Sequence, residues 1–171
     1  EFMYTAELAG HYKGLRWEAA YLKDEVHIDE HITDSPTKHF WGVYAQAGVL
    51  LFGGRQNYDA GGAKYTRVTT GRSWGDVELC VRYDRLDLDS ENIYGGAANG
   101  WTVGVNYWVN SNIKMMLNYQ YVNNNKYANG NGKLNIGLDS EGNPTTDPAA
   151  VTGKHAGVDY SMLACRFEIN F

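Results

Sequence analysis

The 171-residue sequence lacks any run of about 20 apolar residues, so no helix of the chain is expected to cross a bilayer. It has little proline and little cysteine, with three and two residues respectively. It also lacks a Ser-His-Asp spacing, a phosphate-cradling glycine loop and a Cys-x-x-Cys pair. No enzyme class is therefore favoured, and neither a metal nor a cofactor is expected. The net charge of −5 gives no support for nucleic-acid binding.

The sequence does contain a strict alternation of apolar and polar residues, repeated three times between Trp74 and Tyr121. Because successive strand side chains point to opposite faces, each repeat predicts a β-strand with one apolar face and one largely polar, charged face. Four further stretches show the same alternation: Phe2 to Tyr12, Leu15 to Leu22, Phe40 to Phe52 and Tyr160 to Phe171.

This alternation fits two all-β architectures. A soluble sandwich buries its apolar faces in a core, whereas a transmembrane barrel turns them to lipid and turns the charges to a wet lumen. The connections favour the barrel, because short turns at Lys13-Gly14 and 110–112 alternate with long loops over 23–38, 88–99 and 123–159. Outer-membrane barrels have short periplasmic turns and longer extracellular loops. The three long loops are therefore predicted to be extracellular, and 53–75 is predicted by parity to be a periplasmic connection.

Residues 1–171 are predicted to form a single, partial antiparallel β-barrel of about seven strands. An odd number of antiparallel strands leaves the first and last parallel, and an open sheet edge cannot face lipid. Either a strand within 53–75 is unrecognised, or the chain is the C-terminal part of a larger barrel. A start within alternating sequence, without a leader, favours the second interpretation.

Parity assigns the charged residues of the strands to the lumen face. The predicted lumen-facing charges are Arg16, Glu18, Glu78, Arg82, Asp84, Lys114, Arg166 and Glu168. Both signs are interleaved, so these residues are expected to pair across strands rather than to form a ladder of cations. Aromatic residues on the apolar face are predicted to form the interfacial girdles of a barrel, although packing in a soluble core is the alternative. They are Trp17, Tyr21, Trp41, Tyr83, Trp101, Tyr107, Tyr119, Tyr121 and Phe171.

Two short motifs contain residues at the spacing of metal ligands. His27 to His31 spells H-x-x-E-H, which binds zinc when a helix presents it, but here it lies in an acidic connection between strands. Asp87, Asp89 and Glu91 have the spacing of calcium ligands, yet the glycine of an EF-hand loop is replaced by Asn92. Both are interpreted as solvated loops, with divalent ions shared with lipopolysaccharide as a hypothesis for the second.

An ordered series of segments between Phe40 and Val122 resembles the phosphate-selective porin O and P family. The segments are Tyr44-Ala45-Gln46-Ala47-Gly48, Leu51-Phe52-Gly53, Trp74-Gly75-Asp76-Val77-Glu78-Leu79, Val81-Arg82-Tyr83, Thr102-Val103-Gly104-Val105-Asn106-Tyr107-Trp108 and Met115-Met116-Leu117-Asn118-Tyr119. The resemblance implies a sixteen-stranded, trimeric porin in the outer membrane, in contact with its lipid and lipopolysaccharide. It also implies folding by the outer-membrane assembly machinery, for which Phe167, Ile169 and Phe171 look like the recognition signal. The family's anion-binding ladder cannot be assigned here, since no matching motif is present.

The expected function is therefore passive diffusion of small solutes or anions through a water-filled lumen in the bacterial outer membrane. The alternative is a non-conducting barrel that serves as a structural or docking subunit of a larger envelope assembly. A soluble β-barrel that binds a small ligand is a third possibility.

Overall fold

The computed structural model describes residues 1–27, 36–90, 93–124, 137–147, 149–152 and 159–170. Within these ranges the regular structure is entirely β, and no helix suited to spanning a membrane occurs. Seven strands are long: β1 (Phe2–Tyr12), β2 (Leu15–His27), β3 (Thr37–Leu50), β6 (Asp76–Ser90), β7 (Ile93–Trp108), β8 (Ile113–Asn124) and β11 (Tyr160–Ile169). Four are two-residue strands: β4 (Tyr58–Asp59), β5 (Lys64–Tyr65), β9 (Gly137–Leu138) and β10 (Pro144–Thr145).

The seven long strands form one antiparallel sheet in the order β1-β2-β3-β6-β7-β8-β11. Neighbours in this sheet are also neighbours among the long strands of the chain, so the topology is a simple meander. The two outer strands, β1 and β11, are its edges, and the described sheet is not closed on itself. The meander is the connectivity of an up-and-down barrel wall.

The two faces of this sheet have opposite characters, and the apolar one is uncovered. Val103 is 53% exposed, Leu117 is 48% exposed and Leu163 is 70% exposed. On the other face, Asp76 and Glu78 are fully buried and Asn106 is 7% exposed. A soluble sandwich would bury the first face and expose the second, so this inverted distribution favours the barrel.

The height of the apolar face is close to that of the lipid-facing band of an outer-membrane barrel. In β8 the outward residues from Ile113 to Tyr121 are apolar or aromatic at every second position. Eight steps of about 3.3 Å span roughly 26 Å along the strand, or about 20 Å of depth at a tilt of about 40°. This is close to the lipid-facing band of about 25 Å that outer-membrane barrels show.

The strands continue beyond the predicted ends, so two loop boundaries were wrong. β2 runs to His27 and pairs with Thr37 of β3, inside the predicted loop 23–38. β6 extends to Ser90 and β7 begins at Ile93, so most of the predicted loop 88–99 is strand. The prediction ended each strand where the apolar alternation stopped, but backbone pairing continues between polar residues. Polar contacts between strands accompany these extensions. His39 Nδ1 of β3 lies 3.4 Å from Glu25 Oε1 of β2, and the Gly96 N–H of β7 donates to Asp89 Oδ1 of β6 at 2.7 Å.

The connection between β3 and β6 is folded rather than irregular. Residues 51–75, called the ribbon below, run out and back as two antiparallel segments with β4 and β5 at the tip. Arg55 and Thr69 exchange backbone hydrogen bonds of 2.8 and 3.0 Å along it. Within the predicted loop 123–159, β9 and β10 form a second small hairpin.

Candidate functional site

The register places all eight predicted lumen charges on one face of the sheet. Arg16 lies opposite Gly48, Gly48 lies opposite Cys80, and Glu78 lies opposite Asn106. Arg82 and Asp84 on β6, Lys114 on β8 and Glu168 on β11 continue the same face around the sheet, where Arg166 also lies. Arg16–Glu78 and Lys114–Glu168 are ion pairs between strands, whereas Arg82–Asp84 and Arg166–Glu168 are pairs within one strand. Glu18 is hydrogen-bonded to the neutral side chains of Tyr44 and Gln46.

A buried carboxylate network occupies the end of the polar face nearest the ribbon. Arg16 Nε lies 2.6 Å from Glu78 Oε1, and Asn106 Nδ2 donates to Glu78 Oε2 at 2.9 Å. Trp108 Nε1 and Gln56 Nε2 also donate to this carboxylate, at 3.2 and 3.3 Å. Glu78 is fully buried, so these four donors replace its hydration.

A second network lies further along the face. Glu18 accepts a short hydrogen bond from the Tyr44 hydroxyl and another from Gln46 Nε2 at 3.1 Å. Arg82 donates to Gln46 Oε1 at 3.2 Å and pairs with Asp84 at 3.4 Å. The Arg82 guanidinium also lies 4.3 Å from the centre of the Tyr44 ring, a cation–π contact. The network therefore couples β2, β3 and β6.

The third charged cluster has an excess of positive charge. Lys114 Nζ lies 3.4 Å from Glu168 Oε1, and Arg166 lies 3.2 Å from Glu168 Oε2. One carboxylate thus serves two cations, and Arg166 is 67% exposed. Lys114 also lies 4.8 Å from the Trp108 ring, which joins this cluster to the Glu78 network.

Glycines on the polar face make room for these side chains. A Cβ at Gly48 would lie 2.6 Å from Glu78 Oε1, and one at Gly104 would lie 2.3 Å from Asn118 Oδ1. At Gly100 a Cβ would lie 2.1 Å from Asp84 Oδ2. The polar side chains therefore lie flat over glycines of the neighbouring strand instead of projecting away from the wall.

The ribbon lies on this same polar face. Its Gln56 side chain contacts Glu78, and the Gln56 backbone N–H donates to the Lys13 carbonyl at 2.9 Å in the β1–β2 turn. The Tyr65 hydroxyl lies 2.7 Å from the carbonyl oxygens of both Gly10 and Trp17. On the opposite side, Arg67 Nη1 donates to Asn112 Oδ1 at 3.3 Å in the β7–β8 turn. Contacts on both sides show that the sheet curves around the ribbon.

Asp76 holds the base of the ribbon. Its Oδ1 accepts the backbone N–H groups of Phe52 and Val77 at 3.0 and 2.8 Å. Its Oδ2 accepts those of Gly54 and Gly71 at 2.8 and 3.0 Å. The carboxylate is fully buried, and four amide N–H groups stabilise its negative charge in place of a cation.

The predicted girdle residues that the structure describes lie on the opposite, apolar face. Towards the Ser90 end, Tyr21 stacks on Trp41 at 6.4 Å between ring centres, and Tyr83 packs against Trp101 at 4.8 Å. The hydroxyls of Tyr119 and Tyr121 bond Ser161 and Asp159, at 2.9 and 3.4 Å. Towards the ribbon end, the Tyr107 hydroxyl donates to the Trp74 carbonyl at 2.6 Å. Trp17 follows the β1–β2 turn, where its ring covers the space above Gly10.

The remaining candidates gain nothing from the structure. Within the described part of the chain, no three His, Cys, Asp or Glu side chains group as metal ligands. The H-x-x-E-H motif lies outside the described residues except for His27, as do Glu91 and Asn92. Phe167 and Ile169 lie on the apolar face of β11, whereas Phe171 of the predicted assembly signal and girdle is outside the described ranges. Cys80 and Cys165 are free thiols and lie on opposite faces of the sheet.

Sequence reasoning missed the ribbon and the residues that hold it. The alternation places Asp76 on the polar face but predicts no contact for it, nor does it identify Gln56, Asn106 and Trp108 as partners of Glu78. Two signals point to such a structure in retrospect. Acidic residues at alternate positions begin β6, and glycines occur at both ends of the preceding segment, at Gly54 and Gly71.

A meander with an uncovered apolar face and a charged, inward-curving face defines part of the wall of an outer-membrane β-barrel. Comparison with known proteins makes the assignment specific: the family model described as phosphate-selective porin O and P matches residues 3–146. The chain belongs to this family. The match confirms the resemblance and extends it from the segments between Phe40 and Val122 to β1 and β2.

Two individual relatives agree with this family. An uncharacterized protein of Caulobacter vibrioides is 30% identical over 106 residues, which cover 60% of this chain and 20% of the relative. Porin O of Pseudomonas aeruginosa is 28% identical over 126 residues, which cover 67% of this chain and 28% of that protein. The chain therefore matches between a fifth and somewhat more than a quarter of the length of these curated relatives.

Proposed function

We propose that this chain forms part of the wall of a water-filled pore, through which small solutes pass the bacterial outer membrane by passive diffusion. The observation that carries the proposal is the polar face, whose ion pairs surround a ribbon that lies inside the curve of the sheet. A wall that faced only protein or lipid would not keep such a charged surface. The outer-membrane porins of this family give the proposal its class.

The ribbon narrows the pore at one end without filling it. An open cavity of about 360 Å³ remains between the ribbon and the wall, and it is lined in part by Arg67, Trp108, Lys114 and Glu168. Short turns lie at this end, at Lys13-Gly14 and 109–112, so it corresponds to the periplasmic mouth on the parity argument. The constriction is thus formed by the connection that the sequence predicted to be periplasmic.

Charge at this mouth favours small anions. The ribbon carries Arg55, Lys64, Arg67 and Arg72 against the single carboxylate of Asp59, a net charge of +3. The carboxylates of Asp76 and Glu78, which adjoin it, are fully buried and saturated with donors. Exposed cations in a confined, low-dielectric mouth raise the local anion concentration. The overall net charge of −5 conceals this local excess.

Planar-bilayer recording of the protein purified from outer membranes tests the proposal. We expect ohmic conductance steps and a reversal potential, in a potassium chloride gradient, that favours chloride. A variant in which Arg55, Arg67 and Arg72 are all replaced by Gln should conduct with a reduced preference for chloride. Steps that favour potassium in the unaltered protein would contradict the anion assignment but not the pore.

The second candidate is a non-conducting barrel that acts as a structural or docking subunit. The specific observation in its favour is that the ribbon crosses the polar face from β1 and β2 to the β7–β8 turn. If other parts of the full protein close the remaining space, the lumen would be blocked. Silence of correctly folded protein in bilayers would support this candidate over the pore.

A further inference from the structure

We propose that Asp76 is the positioning residue of the pore constriction, because its carboxylate clasps both ends of the ribbon. The inference rests on the proposed function, since it assigns one residue to the constriction of that pore. Asp76 does not meet the solute. It acts through the ribbon, whose exposed cations face the path.

The geometry of the clasp is specific to a carboxylate. Oδ2 joins the N–H of Gly54, where the ribbon leaves the wall, to the N–H of Gly71, where it returns. Oδ1 joins Phe52 at the start of the ribbon to Val77 in β6. Four donors converge on two acceptor atoms, and an ionised carboxylate has the lone pairs to accept all four. An amide has only one acceptor oxygen, so it would leave one pair of N–H groups facing its own NH₂.

The two ribbon glycines next to the carboxylate have no space for a side chain. A Cβ at Gly54 would lie 2.5 Å from Asp76 Oδ2 and 2.8 Å from the Thr69 carbonyl oxygen. A Cβ at Gly71 would lie 2.2 Å from the Phe52 carbonyl oxygen, a backbone atom. Both glycines are therefore needed for the two ends of the ribbon to approach the same oxygen.

Three other side chains of the ribbon each attach one of its segments to the wall. Gln56 is one of four donors to Glu78, whose other three come from the wall itself. Tyr65 anchors the tip through a neutral hydroxyl. Arg67 bonds the exposed side chain of Asn112. Asp76 alone among these contacts joins both ends of the ribbon to the wall through charge-assisted hydrogen bonds.

The test compares Asp76→Asn with Asp139→Asn in the full, membrane-inserted protein. Both variants remove one negative charge, but Asp139 lies in the hairpin of β9 and β10, where its carboxylate accepts the backbone N–H groups of Glu141 and Asn143. We expect Asp76→Asn to give noisier and larger conductance steps with reduced chloride preference, and Asp139→Asn to match the unaltered protein. Gly71→Ala, which opens the clasp without any charge change, should reproduce the Asp76→Asn phenotype.

A conductance-independent readout uses Val68, a residue of the ribbon whose side chain is only 2% exposed. A cysteine at this position should react slowly with a water-soluble maleimide, measured above the labelling of the protein without it. In the Asp76→Asn background the rate should rise about tenfold for each charge-assisted hydrogen bond that is lost. A faster rate than in the Val68→Cys protein alone is also expected in the Gly71→Ala background.

The two proposals fail in different ways. If the unaltered protein conducts but both clasp variants keep its conductance, noise, selectivity and slow Val68→Cys labelling, the role of Asp76 is wrong and the pore stands. If the unaltered, folded protein is silent, the pore is wrong, and the labelling rates alone decide whether Asp76 holds the ribbon. If Asp76→Asn does not fold, Gly71→Ala decides in the same way.

Discussion

Arg16 on β2 reaches across β3 to Glu78 on β6, and its Nε lies 2.6 Å from Glu78 Oε1. The two residues are not on adjacent strands, and the backbone between them is that of Gly48. A contact across an intervening strand is possible only because that strand has no side chain at this position. The pair thereby ties three strands together on the polar face.

Removal of the Glu78 carboxylate should destabilise the protein strongly. Glu78→Ala leaves Arg16 and the donors Asn106 and Trp108 without their acceptor, a loss of about 3 kcal/mol for a broken buried pair. Urea unfolding in phospholipid vesicles, followed by tryptophan fluorescence, measures it. The matched control is Glu168→Ala, which breaks two more exposed ion pairs and should cost no more than about 1 kcal/mol for each. Equal costs for the two variants would contradict the structural role given to Glu78.

Gly48→Ala should also destabilise the protein, although it removes no interaction by itself. The new Cβ would lie 2.6 Å from Glu78 Oε1 and 3.2 Å from Arg16 Nε, and the Glu78 carboxylate is held by four donors and cannot turn away. Overpacking of this kind costs about 1–3 kcal/mol. At Gly61 in the ribbon tip the nearest atom lies 3.5 Å away, so Gly61→Ala should change the free energy of unfolding by less than about 0.5 kcal/mol. A Gly48→Ala variant with an unchanged free energy of unfolding would show that the hydrogen-bond network around Glu78 rearranges freely.

The sheet can be predicted well from the sequence because one face of each strand meets lipid and the other meets water, which makes apolar and polar residues alternate. Every second residue of β6, β7 and β8 meets one environment, so the two faces can be derived from the alternation alone. The alternation does not fix the register, because a slip of two residues leaves every side chain on the same face. Strand ends such as His27 and Ser90 are not predictable in this way. Beyond the apolar band both faces are wet, and backbone pairing no longer leaves a mark on residue type.

The ribbon was beyond sequence reasoning for a related reason. Its fold depends on contacts between residues far apart in the chain, such as Gln56 with Glu78 and Arg67 with Asn112. None of these residues is apolar, so no periodicity reports them. Asp76 in particular has the same residue type as a solvated lumen charge, and only its burial and its four amide donors reveal its role.

The hairpin of β9 and β10 should be sensitive to acid. The backbone N–H of Asn143 donates to Asp139 Oδ1 at 2.8 Å, with that of Glu141 at 2.9 Å, and these bonds lower the pKa of Asp139. Since the folded pKa lies below the unfolded value of about 3.9, the turn is favoured above that value and loses this support as the pH falls through the folded pKa. NMR titration of the Gly142 amide should show a midpoint below the usual aspartate range, and Asp139→Asn should abolish it. A midpoint at or above the usual range would contradict the hydrogen-bonded turn.

The strongest discrimination between the two faces comes from an arginine placed on either side of the wall. Val103 on β7 lies opposite Tyr119 on β8, and the neighbouring register pair is Thr102 with Gln120 on the polar face. Val103→Arg puts a guanidinium among lipid chains and should cost about 2–4 kcal/mol near the bilayer midplane, whereas a lumen position tolerates the same change. Gln120→Arg, at nearly the same depth, should therefore fold with close to normal stability. Urea unfolding in vesicles gives both values, and oxygen accessibility of spin labels at Val103, Val105 and Arg82 gives an independent check. Two outcomes would mean that the polar face meets the membrane and would rule out the pore. One is a larger loss of stability for Gln120→Arg than for Val103→Arg. The other is a label at Arg82 that is more accessible to lipid-soluble oxygen than the labels at Val103 and Val105.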